Sequence, residues 1–270
     1  MELLGLALAI LIGLSLGLIG GGGSIFTVPV LVYVIGLNPV LATSYSLFIV
    51  GTTALIGAYD CLRNKHINLK AVVAFSIPSL IVIFLTREFL LPAIPNEFYV
   101  KEFQITKGLL IMILFAVLML FASISMIKQK KEFRKLGKEA VQPSSLNYPL
   151  LFTEGIIVGL LTGFLGAGGG FLIIPALVLF GGLSMKPAIG TSLLIISINS
   201  LTGFSGDVWR GMDINWFFLL GFSCFAFAGI ILGSYISRFI HGSRLKPAFG
   251  WFTLCMGIFI ILKELFIIYN

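Results

Sequence analysis

Charge is what this sequence has least of: Asp, Glu, Lys and Arg make up 11% of its 270 residues, against 58% hydrophobic residues. A water-soluble chain of this length needs a far more polar surface. The mean hydropathy of +1.08, with several apolar runs long enough for a hydrocarbon layer of roughly 30 Å, points to an all-α polytopic membrane protein in a lipid bilayer. Cysteine is scarce too. Cys61, Cys224 and Cys255 stand singly with no C-x-x-C spacing, which indicates neither a disulfide framework nor a zinc site and predicts buried free thiols. The two histidines, His66 and His241, fall in basic loops, and no metal site or cofactor is expected. A basic leader is missing as well. Glu2 stands where a secretion signal carries lysine or arginine, and the apolar run continues past Ala7-Leu8-Ala9, so residues 1–20 are expected to stay in the protein. No lysine or arginine falls in the middle of an apolar segment, which argues against a cation pump with a carboxylate relay at the midplane. The net charge of +7 is then a topology signal from cytoplasmic loops, and no nucleic-acid partner is expected.

Glycine, by contrast, is abundant and ordered. Gly17-Leu18-Ile19-Gly20-Gly21-Gly22-Gly23-Ser24-Ile25-Phe26-Thr27-Val28-Pro29 is echoed by Gly163-Phe164-Leu165-Gly166-Ala167-Gly168-Gly169-Gly170-Phe171-Leu172-Ile173-Ile174-Pro175. Each copy interrupts an apolar segment and restarts it with a proline where a missing N–H costs least. Apolar stretches run over 3–19, 24–36, 43–62, 71–86 and 107–127, and again over 148–165, 171–183, 189–208, 216–236 and 247–267. Pro29 and Pro175, Thr43-Ser44 and Thr191-Ser192, and Ile67-Asn68 and Ile214-Asn215 recur in one order at offsets of 146 to 148, which indicates an internal duplication. The two repeats, 1–127 and 148–270, flank a basic linker over 128–147 that carries Lys128, Lys130, Lys131, Arg134, Lys135 and Lys138.

Charge also orients the halves. The loop with Arg63, Lys65 and Lys70, the linker, and the loop with Arg238, Arg244 and Lys246 contain the basic clusters. If all three face the cytoplasm, an even number of crossings separates them, and each glycine-split pair is either a re-entrant hairpin or a pair of crossings. Each half then crosses an odd number of times, so duplicated halves have opposite orientation, an inverted repeat. The stretches 24–36 and 171–183 reach only about 20 Å as helix, which favours re-entrant hairpins entering from opposite faces and meeting near the midplane. The connection 87–106, with Arg87, Lys101, Glu88, Glu97 and Glu102 among aromatic residues, reads as an amphipathic segment lying on the outer surface.

A glycine bend lets a ligand approach the backbone, and the half-helix that follows points unpaired N–H groups at it. Two facing helix N-termini supply roughly one unit of positive charge, which suits a small monoanion. The substrate-binding candidates are therefore Gly21, Gly22, Gly23 and Ser24 with Gly168, Gly169 and Gly170. Close helix packing through small residues is the competing reading of the same glycines. Hydroxyls and an amide can line such a site without fixed charge: Thr43, Ser44, Thr191, Ser192 and Asn199. The Thr-Ser pairs also suit helix N-caps, and the two roles compete. Asp207 and Arg210, three apart at a segment end, form a gate or, as favoured here, a surface ion pair.

Two enzyme-like patterns fail. Gly20 to Ser24 lacks the lysine of a phosphate-cradling GxxxxGK[ST] loop. Gly203-Phe204-Ser205-Gly206 has the GxSG form of an intramembrane serine hydrolase, yet Ser205 has no histidine expected within reach. The chain is not expected to be an enzyme.

With both glycine-proline segments, both Thr-Ser pairs and both Ile-Asn positions, the chain resembles the TauE/SafE family of sulfite and organosulfonate exporters, also called the toluenesulfonate uptake permease group. The resemblance covers nearly the whole chain. It implies alternating-access export of small sulfur-containing anions, such as sulfite, sulfoacetate or sulfolactate, across a bacterial inner membrane. Proton- or sodium-coupled uptake of another small anion or carboxylate is the alternative, and a homodimer is compatible with the pattern. The halves depart from each other at Asn38-Pro39 against Ser184-Met185-Lys186-Pro187.

Overall fold

A computed structural model describes residues 2–100, 103–128, 147–166, 168–179, 181–237 and 242–269. The expected linker over 128–147 lies, but for its two end residues, outside them. Asparagine starts several of the helices. Asn38, Asn68 and Asn215 accept from the backbone N–H of Val40, Ala71 and Phe218 at 2.9, 3.1 and 3.0 Å, each satisfying a donor that the first turn leaves orphaned. The Ile-Asn positions repeated in the two halves thus begin equivalent helices.

The first half opens with α1 (Glu2–Ile19), which stops at Gly20, where φ is +78°. A 3₁₀ run (Gly21–Phe26) and α2 (Thr27–Tyr33) bring the chain back. A Cβ on Gly5 would lie 2.6 Å from Ile35 Cδ1, so α1 enters and α2 leaves at one face, as a hairpin. Then come α3 (Pro39–Arg63) and α4 (Leu69–Leu85). The helix does not end at Leu85: a π turn (Thr86–Leu90) and α5 (Leu91–Ala93) extend it. A short antiparallel hairpin, β1 (Glu97–Val100) and β2 (Phe103–Thr106), sets Glu97 opposite Thr106 and leads into α6 (Lys107–Lys128). The segment expected to lie on the surface over 87–106 begins as helix, with Arg87 and Leu91 turned inward, and continues mostly as β-hairpin.

The second half repeats the order with α7 (Tyr148–Leu165), a bend at Gly166, Gly168 and Gly169, α8 (Gly170–Leu179), α9 (Met185–Trp209), α10 (Trp216–Ser237) and α11 (Gly242–Tyr269). Among the described residues, six helices are long and apolar enough to cross a membrane: α3, the α4–α5 run to Ala93, α6, α7, α9 and α10. The protein is an all-α, multi-pass membrane protein apart from the one hairpin.

Helix pairing follows the duplication. Helix α1 packs on α10 and α4 on α7, while α3 pairs with α9 and α6 with α11. Gly13 and Gly17 abut Ala226 to Ser234, and Gly155, Gly159 and Gly163 abut Phe75 to Thr86, with numbers rising together; these two pairs run parallel. Small residues let the backbones close in, which is how helices associate where lipid is as apolar as they are. In the central pair the order reverses. Gly203 meets Leu47, Gly51 meets Ser200 and Leu201, and Gly57 meets Leu193, so α3 and α9, equivalent helices, run antiparallel. They are also the core, with 67% of each span buried against 39 to 44% of the other four. Large apolar side chains such as Phe217, Phe121 and Ile81 cover the outside. Cys224 and Cys255 are exposed on that surface and Cys61 is half-buried, which corrects the expectation of buried thiols.

Candidate functional site

The two glycine bends touch. A Cβ on Gly21 would fall 2.3 Å from Gly170 Cα, and one on Gly170 2.5 Å from Gly21 Cα, so the backbones are in direct contact and leave no space for an anion between these two residues. Each bend also leans on a hydroxyl of its own entry helix. A Cβ on Gly23 would meet Ser15 Oγ at 2.0 Å and one on Gly169 would meet Thr162 Oγ1 at 2.4 Å; Ser15 and Thr162 are counterparts in the duplication. Gly168 sits beside Ser200 Oγ and Val50, and Gly166 against Thr43. Gly22 lies within the 3₁₀ run, and the Ser24 hydroxyl donates to the Gly21 carbonyl at 2.8 Å.

The expected polar lining divides into occupied and unoccupied groups. Thr43 and Ser192 donate to the carbonyls of Val40 and Ile189 at 2.7 and 2.8 Å, and Thr191 Oγ1 accepts from Asn68 N–H at 3.0 Å. Because Asn38 caps α3 at Pro39 and α9 begins at Met185, the Thr-Ser pairs lie inside their helices; the N-cap role is corrected. Other groups are buried with no protein partner. They include Asn199 Nδ2, Ser200 Oγ, Thr162 Oγ1 and Thr53 Oγ1. Asn199 uses only its Oδ1, which accepts from Ser79 Oγ at 3.0 Å. An unpaired buried donor costs about 1–3 kcal/mol, and two of these groups, Ser200 Oγ and Thr162 Oγ1, lie against the bend residues Gly168 and Gly169.

At one end of this centre lies a charge cluster. Asp207 is fully buried and Arg87 is 2% exposed. Arg87 Nη1 donates to Asp207 Oδ2 and, at 3.1 Å, to Ser44 Oγ, while its Nε donates to the Gly163 carbonyl at 3.0 Å. Ser44 Oγ in turn donates to Asp207 Oδ2. Arg210 donates to the other carboxylate oxygen, Oδ1, and to the Arg87 carbonyl, and lies 3.8 Å from Glu88 at the rim. One expectation is corrected here. Asp207 and Arg210 are not a surface pair, because Arg87 closes over the carboxylate. Arg87 follows the apolar run 71–86, and the π turn carries α4 past Leu85 and turns Thr86 and Arg87 inward near the end of the span. Such turns are common at functional sites, and an ionisable residue inside a span is a functional marker.

Sequence reasoning missed Arg87 because it sat just beyond an apolar run, next to Glu88. A signal was available in Asp60-Cys61-Leu62-Arg63 and Asp207-Val208-Trp209-Arg210, which repeat the Asp-x-x-Arg pattern at an offset of 147. At that offset Ser234 stands opposite Arg87. The Asp60 end of the α3–α9 pair is joined by the Asn68–Thr191 bond. The Asp207 end has the corresponding Asn215 N–H bond to Tyr45 Oη at 2.7 Å. Outside that bond an open pocket of about 520 Å³ is lined by Leu37, Leu41, Tyr45, Asp213, Asn215 and Phe218, among others.

Ser205 is exposed and donates to the Thr202 carbonyl at 2.8 Å. His66 lies by Gly190, about 22 Å down the same helix at 1.5 Å per residue; His241 is outside the described residues. No base reaches the serine from His66. Among the described residues no cluster of three or more His, Cys, Asp or Glu could hold a metal.

Comparison with known proteins bears on the whole chain. A family model described as Sulfite exporter TauE/SafE matches residues 5–260. A probable membrane transporter protein of Xylella fastidiosa (strain Temecula1) is 27% identical over 94% of this chain and 92% of its own length. The probable membrane transporter protein YunE of Bacillus subtilis is 26% identical over 96% and 97%, and one of Haemophilus influenzae 25% over 97% and 98%. No solved structure matches.

Proposed function

Because the chain belongs to the sulfite exporter TauE/SafE family and is a membrane transporter, not an enzyme, we propose that it exports small sulfur-containing anions, sulfite or organosulfonates such as sulfoacetate, by alternating access across a bacterial inner membrane. The observation that carries this reading is the pair of buried, unpaired hydroxyls, Ser200 Oγ and Thr162 Oγ1, against two touching glycine bends, with the unpaired Asn199 Nδ2 next along the helix from Ser200. Amide and hydroxyl donors solvate an oxyanion without a fixed charge. The anion sits beside the bends rather than between them, and moves as the halves rock against each other.

The halves lie inverted in the membrane. In support, the equivalent helices α3 and α9 run antiparallel at the centre, which an odd number of crossings per half requires. The basic loop with Arg63, Lys65 and Lys70 puts the Asn68 end in the cytoplasm and the Arg87 end outside. An inside-negative potential then drives an anion outward by about 2.3 kcal/mol per charge per 100 mV, so export needs no coupling ion. Proteoliposomes holding the purified protein and loaded with sulfite, sulfoacetate or sulfolactate test the reading. Efflux that rises with an inside-negative potential is expected, and efflux no faster than from protein-free vesicles for all three overturns it.

A further inference from the structure

Resting on the sidedness proposed above, we infer that Arg87 is the anion-binding residue of an outer gate, which opens when the departing anion takes the place of Asp207 on its guanidinium. Four observations lead there. Arg87 is held on three sides, by Gly163, Ser44 and Asp207, yet its Nη2 has no partner although it is buried. Once Asp207 leaves Nη1, the Nη1–Nη2 edge of this planar group offers an oxyanion two parallel N–H bonds.

Asp207 does not depend on Arg87 alone. Its second oxygen is held by Arg210, so the carboxylate stays paired when Arg87 turns away. The charges also leave room for one more anion. Arg87, Arg210 and Asp207 together carry one excess positive charge, and the balancing Glu88 sits at the rim, 38% exposed and 3.8 Å from Arg210. A monoanion arriving on Arg87 neutralises the buried group. Finally, the guanidinium adjoins the central site. Gly163, which it grips, follows Thr162, whose unpaired hydroxyl touches Gly169; Ser44 follows Thr43, which abuts Gly166. On the other side the Tyr45–Asn215 bond borders the outer pocket.

The gate thus lies between the central donors and the outside, and its charge restricts opening to anions. At the matching position of the inner end the sequence has Ser234 in place of Arg87.

Ser200 is buried beside Gly168 and reports on the gate. The full chain with Cys61, Cys224 and Cys255 replaced by serine and with Ser200→Cys is placed in vesicles, and excess membrane-impermeant maleimide is added on the outer-gate side. Labelling is expected to be slow, to rise at least tenfold with Asp207→Asn, and to rise severalfold with sulfite, sulfoacetate or sulfate trapped inside. Arg87→Gln should abolish the anion effect. Arg87→Lys, which keeps the charge but not the fork, should need roughly tenfold more anion, and gel filtration checks that each variant is folded. Equal labelling rates with and without the Asp207 carboxylate overturn the gate. Acceleration by none of the three anions, or acceleration unchanged in both Arg87 variants, overturns the exchange. The functional reading fails by a different sign, an absence of efflux from wild-type vesicles whatever the labelling does.

Discussion

The two ends of the α3–α9 pair carry matching Asp-x-x-Arg and Ile-Asn sequences and close in different ways. At the Asn68 end the Asn68 N–H bonds to the Thr191 hydroxyl, with Lys65 in the adjoining loop and Arg63 and Lys70 at the helix ends that flank it. At the Asn215 end an equivalent bond to Tyr45 is backed by Arg87, Asp207, Arg210 and Ser44, nearly all of it out of solvent. Both ends kept the Asp-x-x-Arg pattern. At the Asp207 end a second arginine buries the aspartate, because the π turn of α4 rotates Arg87 inward; the matching position of the other half is Ser234. A neutral hydrogen bond nets about 0.5–1.5 kcal/mol, whereas removing one partner of a buried ion pair costs about 3–5 kcal/mol. The Asp207 end is therefore the more sensitive to losing a single partner.

The largest effect should separate the two aspartates. Asp207→Ala strands Arg87 beside Arg210 and should lower stability by about 3–5 kcal/mol, seen as a marked drop in Tm in detergent. Asp60→Ala, at a half-exposed position, should cost no more than about 1 kcal/mol. Equal losses would mean that the ends are energetically alike and the comparison fails. Next come the bends. Gly21→Ala and Gly170→Ala each drive a Cβ into facing backbone at 2.3 to 2.5 Å, and overpacking of this kind costs about 1–3 kcal/mol, occasionally more. Both should also abolish efflux, whereas Gly36→Ala, which is strained by its φ of +83° but meets nothing within 4 Å, should retain it.

How far the sequence foretold this differs from residue to residue. The glycine-proline repeats and the Ile-Asn positions located both bends and the starts of α4 and α10, because a broken helix and an N-cap are local features with local chemistry. Arg87 escaped because its burial depends on a π turn, which shifts one side chain's direction without altering composition. Asp207 was read as superficial because its partner comes from a helix 120 residues away. That the two bends meet was expected, but not that Gly21 packs directly on Gly170, since a glycine that admits a ligand and a glycine that admits another backbone look the same in one dimension.

A finer test concerns the neutral latches. Tyr45→Phe and Thr191→Val each remove the acceptor of one backbone N–H and should cost about 1 kcal/mol apiece. Similar Tm losses at the two ends would assign the asymmetry entirely to the charged cluster, while a larger loss from Tyr45→Phe would place part of it in the aromatic contact that Tyr45 makes with Phe218.

The smallest effect on stability is the most informative about function. Ser15 and Thr162 stand at equivalent places against Gly23 and Gly169, but Ser15 donates to the Ile12 carbonyl at 2.6 Å whereas Thr162 Oγ1 has no protein partner. Thr162→Val keeps the shape and removes a buried, unpaired hydroxyl, so it should leave stability unchanged or raise it by up to about 1 kcal/mol. Ser15→Ala removes a bonded one and should lower stability slightly. If Thr162 serves the transported anion, the more stable variant is also the poorer transporter, with a raised KM for efflux. A Thr162→Val protein that melts higher and transports normally would show that the hydroxyl is merely tolerated, and would shift the polar centre toward Asn199 and Ser200.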